Sequence, residues 1–245
     1  MESKVCIIRL WFGCTHVTGR LCLNYKGLPY KTEWLEFPEI EPHCIKHGIP
    51  ATSTKPDGTP YYTLPAIHDP STGSYISDSF AIAVYLDVTY PSTPPILPHG
   101  TQGLQASFES AFRQQVQGVW STMWRSVLSY LNESSANHLG SRRMGEKTTR
   151  DFILSAEEEK IIREKAKEDL GKVHEWFSSA SRSRNPGPFL MGSVVSWGDF
   201  VVCSHFLCWK TILGADSEEW KDIEKWNEGQ WAALLDNLEK YQGVR

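Results

Sequence analysis

Two short motifs in the first third of the chain combine residue types that suit ligand binding. Leu64-Pro65 lies inside the β-prone run 61–68, where a proline indicates either a cis peptide bond or backbone groups that serve a ligand. Ser77-Asp78-Ser79 stands directly before the apolar run 80–86, which is typical of a helix start. Because the first N–H groups of a helix are free, such a start also favours an anion. Together the two motifs predict a binding site.

The first ninety residues predict a small α/β domain that contains both motifs. A tight turn at 69–73 joins two strands, which must therefore be antiparallel. The predicted strands are 5–10, 30–37, 61–68 and 74–76, and the predicted helices are 17–25, a short one around 41–47, and 79–90. This β–α–β–(α)–β–β–α order is thioredoxin-like.

A proline-rich segment separates this domain from an all-helical one. Four prolines fall within residues 91–98, so the segment cannot be helical and is expected to be a linker. From residue 104 onward apolar residues recur three or four apart, and strand signals almost disappear. We expect helices at about 104–131, from 155, at 197–213 and at 231–241, with loops at 134–145 and 178–188. The predicted division is thus a domain at 1–90, a linker at 91–103 and a helical domain at 104–245.

Composition excludes several classes of function. The formal net charge is −4 and no Lys/Arg cluster forms a basic face, which argues against nucleic acid as a partner. No apolar run reaches the length of a membrane span and none resembles a signal peptide, so we expect a cytoplasmic protein without a membrane partner. The six cysteines show no CxxC and no paired metal-ligand spacing, which predicts reduced thiols and no metal site. Cys203, His205 and Cys208 do not share one helix face, so we do not expect them to bind a metal ion together.

The whole chain resembles the soluble glutathione transferases, in which a thioredoxin-like domain with a strand proline and an acidic-Ser pair precedes a helical domain. The runs 24–34, 57–65, 69–73 and 85–91 are similar to the fungal class related to bacterial lignin β-etherases. Ser196-Trp197-Gly198-Asp199 is similar to the N-capping box that precedes the central buried helix of the family. Its role there is in folding rather than in chemistry.

The resemblance implies glutathione as co-substrate and assigns residues to its binding. Thr63-Leu64-Pro65 would hold the cysteinyl backbone, with the N–H and C=O of Leu64 turned outward by a cis bond. Ser79 and the N–H groups of its helix suit the γ-glutamyl carboxylate, and Asp78 suits the ammonium group. The candidate cations for the glycyl carboxylate are His43, Lys46 and Lys55.

The resemblance also places the catalytic hydroxyl or thiol of the family on Gly13, which offers only a backbone N–H. Its neighbours Cys14 and Thr15 are therefore the candidate catalytic residues. A helix N-terminus lowers the pKa of a thiol, so Cys14 can form a mixed disulfide with glutathione, whereas Thr15 can donate its hydroxyl to the bound thiolate. The alternative is that both residues only fill space at the helix start. His16 can tune the site, although a lone histidine at a turn is more often solvated.

Two functions follow from the resemblance. The first is a weakly active glutathione transferase that acts on aromatic, wood-derived compounds by conjugation, by β-ether cleavage or by removing glutathione from an aromatic ketone adduct. The second is a ligandin that binds polyphenols and other hydrophobic aromatics without turnover.

The chain has ten tryptophans, which indicate core packing more strongly than they indicate a binding site for aromatic ligands. The residues expected to form its apolar wall are Trp11, Phe12, Met123 and Trp124, together with the last helix. The resemblance further implies a homodimer.

Overall fold

The structure of the chain, a computed structural model, describes residues 5–10, 14–144, 154–181 and 185–243. The chain divides into an α/β unit, formed by residues 1–102 and 239–245, and a helical unit, formed by residues 103–238. The predicted fold class, a thioredoxin-like domain followed by an all-helical one, is confirmed. The structure groups the last residues, which were expected in the helical domain, with the α/β unit.

A mixed sheet forms the centre of the α/β unit. The strands of this unit, within the described residues, are β1 (Val5–Leu10), β2 (Tyr30–Leu35), β3 (Ser53–Thr54), β4 (Pro60–Tyr61), β5 (Ala66–Asp69) and β6 (Ser74–Ser77). Four of them lie in the order β2-β1-β5-β6, with β1 parallel to β2 and antiparallel to β5. β5 and β6 form the predicted antiparallel hairpin, while β3 and β4 pair separately.

The helices of this unit cover the two faces of the sheet. They are α1 (Cys14–Tyr25), α2 (Ile40–His47) and α3 (Ser79–Thr89). A Cβ atom on Gly19 of α1 would lie 3.3 Å from Ile7 Cδ1 and 3.7 Å from Pro65 Cβ, so the absent side chain lets α1 approach the sheet beside Pro65. Because side chains alternate along a strand, the neighbours of Ile7 point the other way. They belong to the cluster of Cys6, Ile8, Leu35, Ile40, Cys44, Ile49, Leu64 and Ala66.

The predicted strand 61–68 is interrupted. β4 ends at Tyr61 and β5 begins at Ala66, and the intervening residues contain a cis Leu64–Pro65 bond. Proline has no N–H to donate to a ladder, which is why pairing resumes only after it. The prediction of one continuous strand was therefore wrong, whereas the expected cis bond is confirmed.

A buried ion pair ties the proline-rich segment to the α/β unit. The ammonium of Lys26, which is fully buried, lies 2.7 Å from Asp87 Oδ1 and 3.2 Å from the carbonyl oxygen of Pro94. Asp87 also accepts hydrogen bonds from the N–H groups of Ile96 and Leu97, at 3.0 and 2.8 Å. The segment 91–98 is thus held by specific bonds, which its composition alone did not indicate.

The C-terminal residues are fixed to α1 in the same way. The side-chain amide of Asn24 donates to the carbonyl oxygens of Tyr241 and Gly243, at 2.7 and 2.8 Å. The rings of Tyr25 and Tyr241 meet edge to face, with centroids 5.2 Å apart. These contacts explain why residues 239–243 belong to the α/β unit.

The helical unit contains seven helices in the described residues. They are α4 (Gln102–Gln115), α5 (Gln117–Tyr130), α6 (Glu133–Met144), α7 (Ala156–Ser181), α8 (Trp197–Leu213), α9 (Glu218–Lys225) and α10 (Gln230–Asn237). The expected single helix at 104–131 breaks at Val116. The loop expected at 134–145 was wrong for residues 134–144, which belong to α6. The side-chain oxygen of Asn132 accepts from the N–H of Ser135 and so caps the start of that helix.

Helix α8 forms the core of the helical unit. Thirteen of its residues are buried, and five tryptophans of this unit, Trp197, Trp209, Trp220, Trp226 and Trp231, are each 3% exposed or less. The predicted capping box is confirmed, since Asp199 Oδ2 accepts from the N–H of Ser196 at 2.8 Å. Asp199 Oδ1 accepts from the N–H of Leu190 at 2.8 Å. Burial raises the pKa of Asp199 to about 7, although these hydrogen bonds oppose the shift.

Candidate functional site

The residue before the cis bond has a backbone N–H without an acceptor in the described part of the chain. The N–H of Leu64 meets no acceptor among the described residues, and its side chain, 5% exposed, is anchored in the cluster below the sheet. The carbonyl oxygen of Leu64 lies 3.4 Å from Thr15 Oγ1, which donates to it. Leu64 therefore presents an N–H for an extended ligand, while its C=O is shared with Thr15.

The start of α3 follows one hairpin later. Asp78 is the N-cap, and its Oδ1 accepts from the N–H groups of Phe80 and Ala81 at 2.9 and 3.0 Å. Its φ of 79° lies in the region that residues other than glycine rarely adopt. The second carboxylate oxygen of Asp78 has no partner among the described residues. Asp78 thus caps its own helix and keeps one oxygen available, so fewer helix N–H groups remain for an anion than the sequence suggested.

Ser79 provides the remaining polar groups at this helix start. It is 4% exposed, and neither its hydroxyl nor its N–H bonds to an acceptor in the described part of the chain. Ser77, in contrast, donates its hydroxyl to the carbonyl oxygen of Pro50 at 2.7 Å. Thr63 donates its hydroxyl to Thr52 Oγ1 at 2.8 Å. Ser77 and Thr63 therefore hold the loop after α2, and their side chains are occupied.

The three candidate cations differ in what already contacts them. Lys55 Nζ lies 3.2 Å from both carboxylate oxygens of Glu41. His43 stacks on His47 with ring centroids 4.4 Å apart, and burial lowers its pKa although the Glu33 carboxylate opposes the shift. Lys46 is exposed and has no partner within the described ranges. Of the three, only Lys46 has a positive charge free for a ligand carboxylate.

The candidate catalytic residues open α1. Cys14 is the first residue of that helix and is half-buried, and its carbonyl oxygen accepts from Thr18 Oγ1 at 3.1 Å. Thr15 is the residue that reaches Leu64. His16 is 4% exposed, so the expectation of a solvated histidine was wrong. Gly13 lies outside the described residues.

The candidates for an apolar wall are only partly described. Trp11 and Phe12 fall outside the described residues. Met123 is 3% exposed and lines a cavity whose lining residues all belong to the helical unit, and Trp124, next to it on α5, is half-buried. The placement of these four residues around one ligand stays a prediction.

A buried carboxylate that sequence reasoning missed joins the β5–β6 turn to the second half of α3. Asp69 Oδ1 accepts from the N–H and hydroxyl of Ser71, and Oδ2 accepts from the hydroxyls of Tyr85 and Tyr90. Burial alone would raise the pKa of Asp69, but the hydrogen bonds from Ser71, Tyr90 and Tyr85 outweigh it and hold the pKa below its usual value. The runs 69–73 and 85–91, noted separately in the sequence, are thus one hydrogen-bonded network around the β5–β6 turn.

Comparisons with known proteins agree with this arrangement. Models of the glutathione S-transferase N-terminal and C-terminal domains match residues 18–89 and 103–241. A glutathione S-transferase-like protein of Aspergillus flavus is 30% identical, over 88% of this chain and 79% of its own. A glutathione S-transferase of Ceriporiopsis subvermispora, solved in complex with glutathione, is 36% identical with a TM-score of 0.90, covering 99% of both chains. A glutathione transferase of Phanerochaete chrysosporium is 30% identical with a TM-score of 0.89, covering 99% of this chain and 98% of that one.

Proposed function

This chain belongs to the glutathione S-transferase family, and from that premise we propose that its α/β unit binds glutathione as a co-substrate. The observation that carries the proposal is the free N–H of Leu64 directly before cis-Pro65. The similar chains of Ceriporiopsis subvermispora were solved with glutathione bound, which supports the same ligand here.

The polar groups of the site match the tripeptide in kind and charge. The Leu64 N–H donates to the cysteinyl carbonyl of glutathione, in the manner of an added strand. The hydroxyl and N–H of Ser79 bind the γ-glutamyl carboxylate, and the free oxygen of Asp78 binds the ammonium group. Lys46, whose charge is unpaired in the described part of the chain, binds the glycyl carboxylate.

The chemistry of the thiol depends on the two residues that open α1. Thr15 donates its hydroxyl to Leu64 in this structure; in the complex it turns this donor to the glutathione thiolate instead and favours conjugation of an electrophile. Cys14 as nucleophile supports removal of glutathione from an aromatic ketone adduct. In that reaction the Cys14 thiolate attacks the glutathionyl sulfur, an S–S bond forms, and the C–S electron pair leaves with the ketone carbon, which takes a proton. A second glutathione thiol then reduces the mixed disulfide.

The proposed electrophiles are aromatic, wood-derived compounds, and β-ether cleavage is one form of the reaction. This part rests on the resemblance of 57–65 and 85–91 to the β-etherase-related fungal class. A ligandin is the second candidate, because Thr15 already donates to Leu64 and Gly13, where the family has its catalytic hydroxyl or thiol, has no side chain.

The test of glutathione binding is calorimetric titration of the full chain with glutathione, followed by assays with a chloronitrobenzene, an aryl β-ether and a glutathionyl ketone. We expect saturable binding of glutathione and turnover of at least one substrate. Saturable binding without turnover, together with displacement of a bound dye by polyphenols, would establish the ligandin. The absence of saturable glutathione binding would reject both candidates.

A further inference from the structure

The loop between α2 and β3, residues 48–52, accepts hydroxyl groups from two other segments of the α/β unit. The hydroxyl of Ser77 donates to the carbonyl oxygen of Pro50 at 2.7 Å. The hydroxyl of Thr63 donates to Thr52 Oγ1 at 2.8 Å. Both bonds are partly buried, so water competes with them less than it would at the surface. The loop is therefore tied to both segments.

Each of the two donors directly precedes a residue that is proposed to contact glutathione. Thr63 comes before Leu64, and Ser77 comes before Asp78. The loop itself follows the last turn of α2, which carries Lys46. One short loop thus connects the three places at which the tripeptide is proposed to be held.

The beginning of the loop continues the last turn of α2. Gly48 ends the helix at a φ of 66°, and the N–H of Ile49 donates to the carbonyl oxygen of Cys44 at 2.9 Å. Ile49 is 3% exposed and lies in the same core cluster as Leu64. A bond that holds the loop therefore also holds the turn in which Lys46 stands.

The end of the loop is fixed by Thr52. Its N–H donates to the carbonyl oxygen of Tyr61 at 2.9 Å, and its side chain is the acceptor for Thr63. Valine has the shape of threonine without the hydroxyl, so packing alone does not require a threonine at this position. The hydroxyl acceptor is what links the loop to the residue before Leu64.

We propose that Thr52 is a positioning residue that makes the site select the negative charge at the glycyl end of glutathione. By accepting from Thr63, it sets the distance between the Lys46 ammonium and the Leu64 N–H, which hold the two ends of the Cys-Gly part of the tripeptide. A charge-assisted hydrogen bond forms only over a narrow range of distance, so this spacing decides whether Lys46 reaches the carboxylate. The inference rests on the proposed function, because it takes Leu64 and Lys46 as contacts of glutathione.

The test is calorimetric titration of the full chain with glutathione and with glutathione amide, whose glycyl carboxylate is replaced by a neutral carboxamide of nearly the same shape. We expect the wild type to bind glutathione about tenfold more tightly than the amide, because only the carboxylate makes a charged contact. Equal affinities in the wild type would overturn this proposal and leave glutathione binding intact. Failure of the wild type to bind either ligand would instead reject the function proposed above.

Variants at both ends of the Thr52–Thr63 bond test the positioning role. Thr52→Val should reduce the preference for glutathione to about threefold or less by weakening glutathione, while the amide binds as before. Thr63→Val removes the other hydroxyl and should give the same loss of preference, so the test does not depend on one variant. Thr52→Ser, which keeps a hydroxyl, and Thr54→Val, an exposed change on β3, should keep the wild-type preference. An unchanged preference in Thr52→Val, or equal weakening of both ligands, would overturn the proposal.

A double-mutant cycle identifies the group through which Thr52 acts. In Lys46→Gln the two ligands should bind alike, and adding Thr52→Val should then change neither affinity. A further loss of glutathione affinity in the double variant would show that Thr52 acts through another group, and would reject the positioning of Lys46.

Discussion

Thr15 Oγ1 donates to the carbonyl oxygen of Leu64 over 3.4 Å, across 49 residues of sequence. This bond joins the start of α1 to the residue before cis-Pro65, so the candidate catalytic residue and the backbone proposed to hold glutathione are neighbours. Gly19, one turn further along α1, makes the close approach possible. A change at Thr15 should therefore affect both the position of α1 and the ionisation of a bound thiol.

Thr15→Val should raise the pKa of the bound glutathione thiol, because the thiolate loses a hydroxyl donor. The ultraviolet thiolate absorbance of the complex should then appear at higher pH than in the wild type. Thr18→Val is the matched control, since Thr18 donates its hydroxyl to the carbonyl oxygen of Cys14 within the same helix. An unchanged titration in Thr15→Val would exclude Thr15 as the donor.

Cys14→Ser should abolish removal of glutathione from aromatic ketone adducts if Cys14 is the nucleophile, because a serine hydroxyl cannot form a mixed disulfide. Mass spectrometry of the wild type with such an adduct should show one added glutathione on Cys14. Cys22→Ala, in the buried part of the same helix, should keep the activity and the added mass. Full activity in Cys14→Ser would rule out the covalent role.

Asp78→Asn separates the structural role of this residue from its charge. Asparagine tolerates the observed φ of 79° and its side-chain oxygen can still cap α3, so the free energy of unfolding should change by less than about 0.5 kcal/mol. Glutathione affinity should fall about tenfold, because a hydrogen bond to a charged group is lost. Calorimetry and urea unfolding measure the two effects, and Ser74→Ala, at a half-buried position of β6, serves as a control. Unchanged affinity would remove Asp78 from the site.

Lys26→Met should destabilise the α/β unit by about 3–5 kcal/mol, since it leaves Asp87 without its buried partner. Urea unfolding should show the loss, and limited proteolysis should cut faster within residues 91–98. The double variant Lys26→Met with Asp87→Leu should recover only part of the stability, because the N–H groups of Ile96 and Leu97 then lose their acceptor. Full recovery would mean that those two bonds contribute nothing.

The buried Asp199 should make stability fall as pH rises. Its pKa moves from 3.8 to about 7 on folding, so between these values the folded chain holds a proton that the unfolded chain releases. The stabilisation that comes from protonated Asp199 is fully present below pH 4 and is lost by about pH 7. Over this range the free energy of unfolding should fall by roughly 4 kcal/mol.

Urea unfolding of wild type and Asp199→Asn across this pH range isolates the effect, because the variant lacks the titrating group. Burial lowers the pKa of His205 to about 4, so this residue makes stability rise with pH above that value. Because His205 is present in both proteins, its effect on stability cancels in the comparison. Asp216→Asn, an exposed change of the same kind, should follow the wild type. Parallel curves for wild type and Asp199→Asn would contradict the prediction.

Local signals predicted both a core helix and the backbone of the proposed binding site. The apolar spacing of α8 and its Ser196–Asp199 box predicted a helix at 197–213, and the structure has the same bounds. The proline in a β-prone run predicted the cis bond at Leu64–Pro65. Where the local pattern was weak the prediction failed, as at α6, whose start depends on a cap from Asn132 rather than on apolar periodicity.

The sequence by itself determined the family, the order of the elements and which short segments bear polar groups for a tripeptide, because propensity, caps and prolines act over a few residues. The tertiary structure decided which of those groups remain free. One carboxylate oxygen of Asp78 caps its own helix, Lys55 forms an ion pair with Glu41, and Thr15 donates to Leu64. These outcomes depend on side chains brought together by the packing of α1, α2 and the sheet. No periodicity along the chain encodes a distance between residues 49 or 61 positions apart.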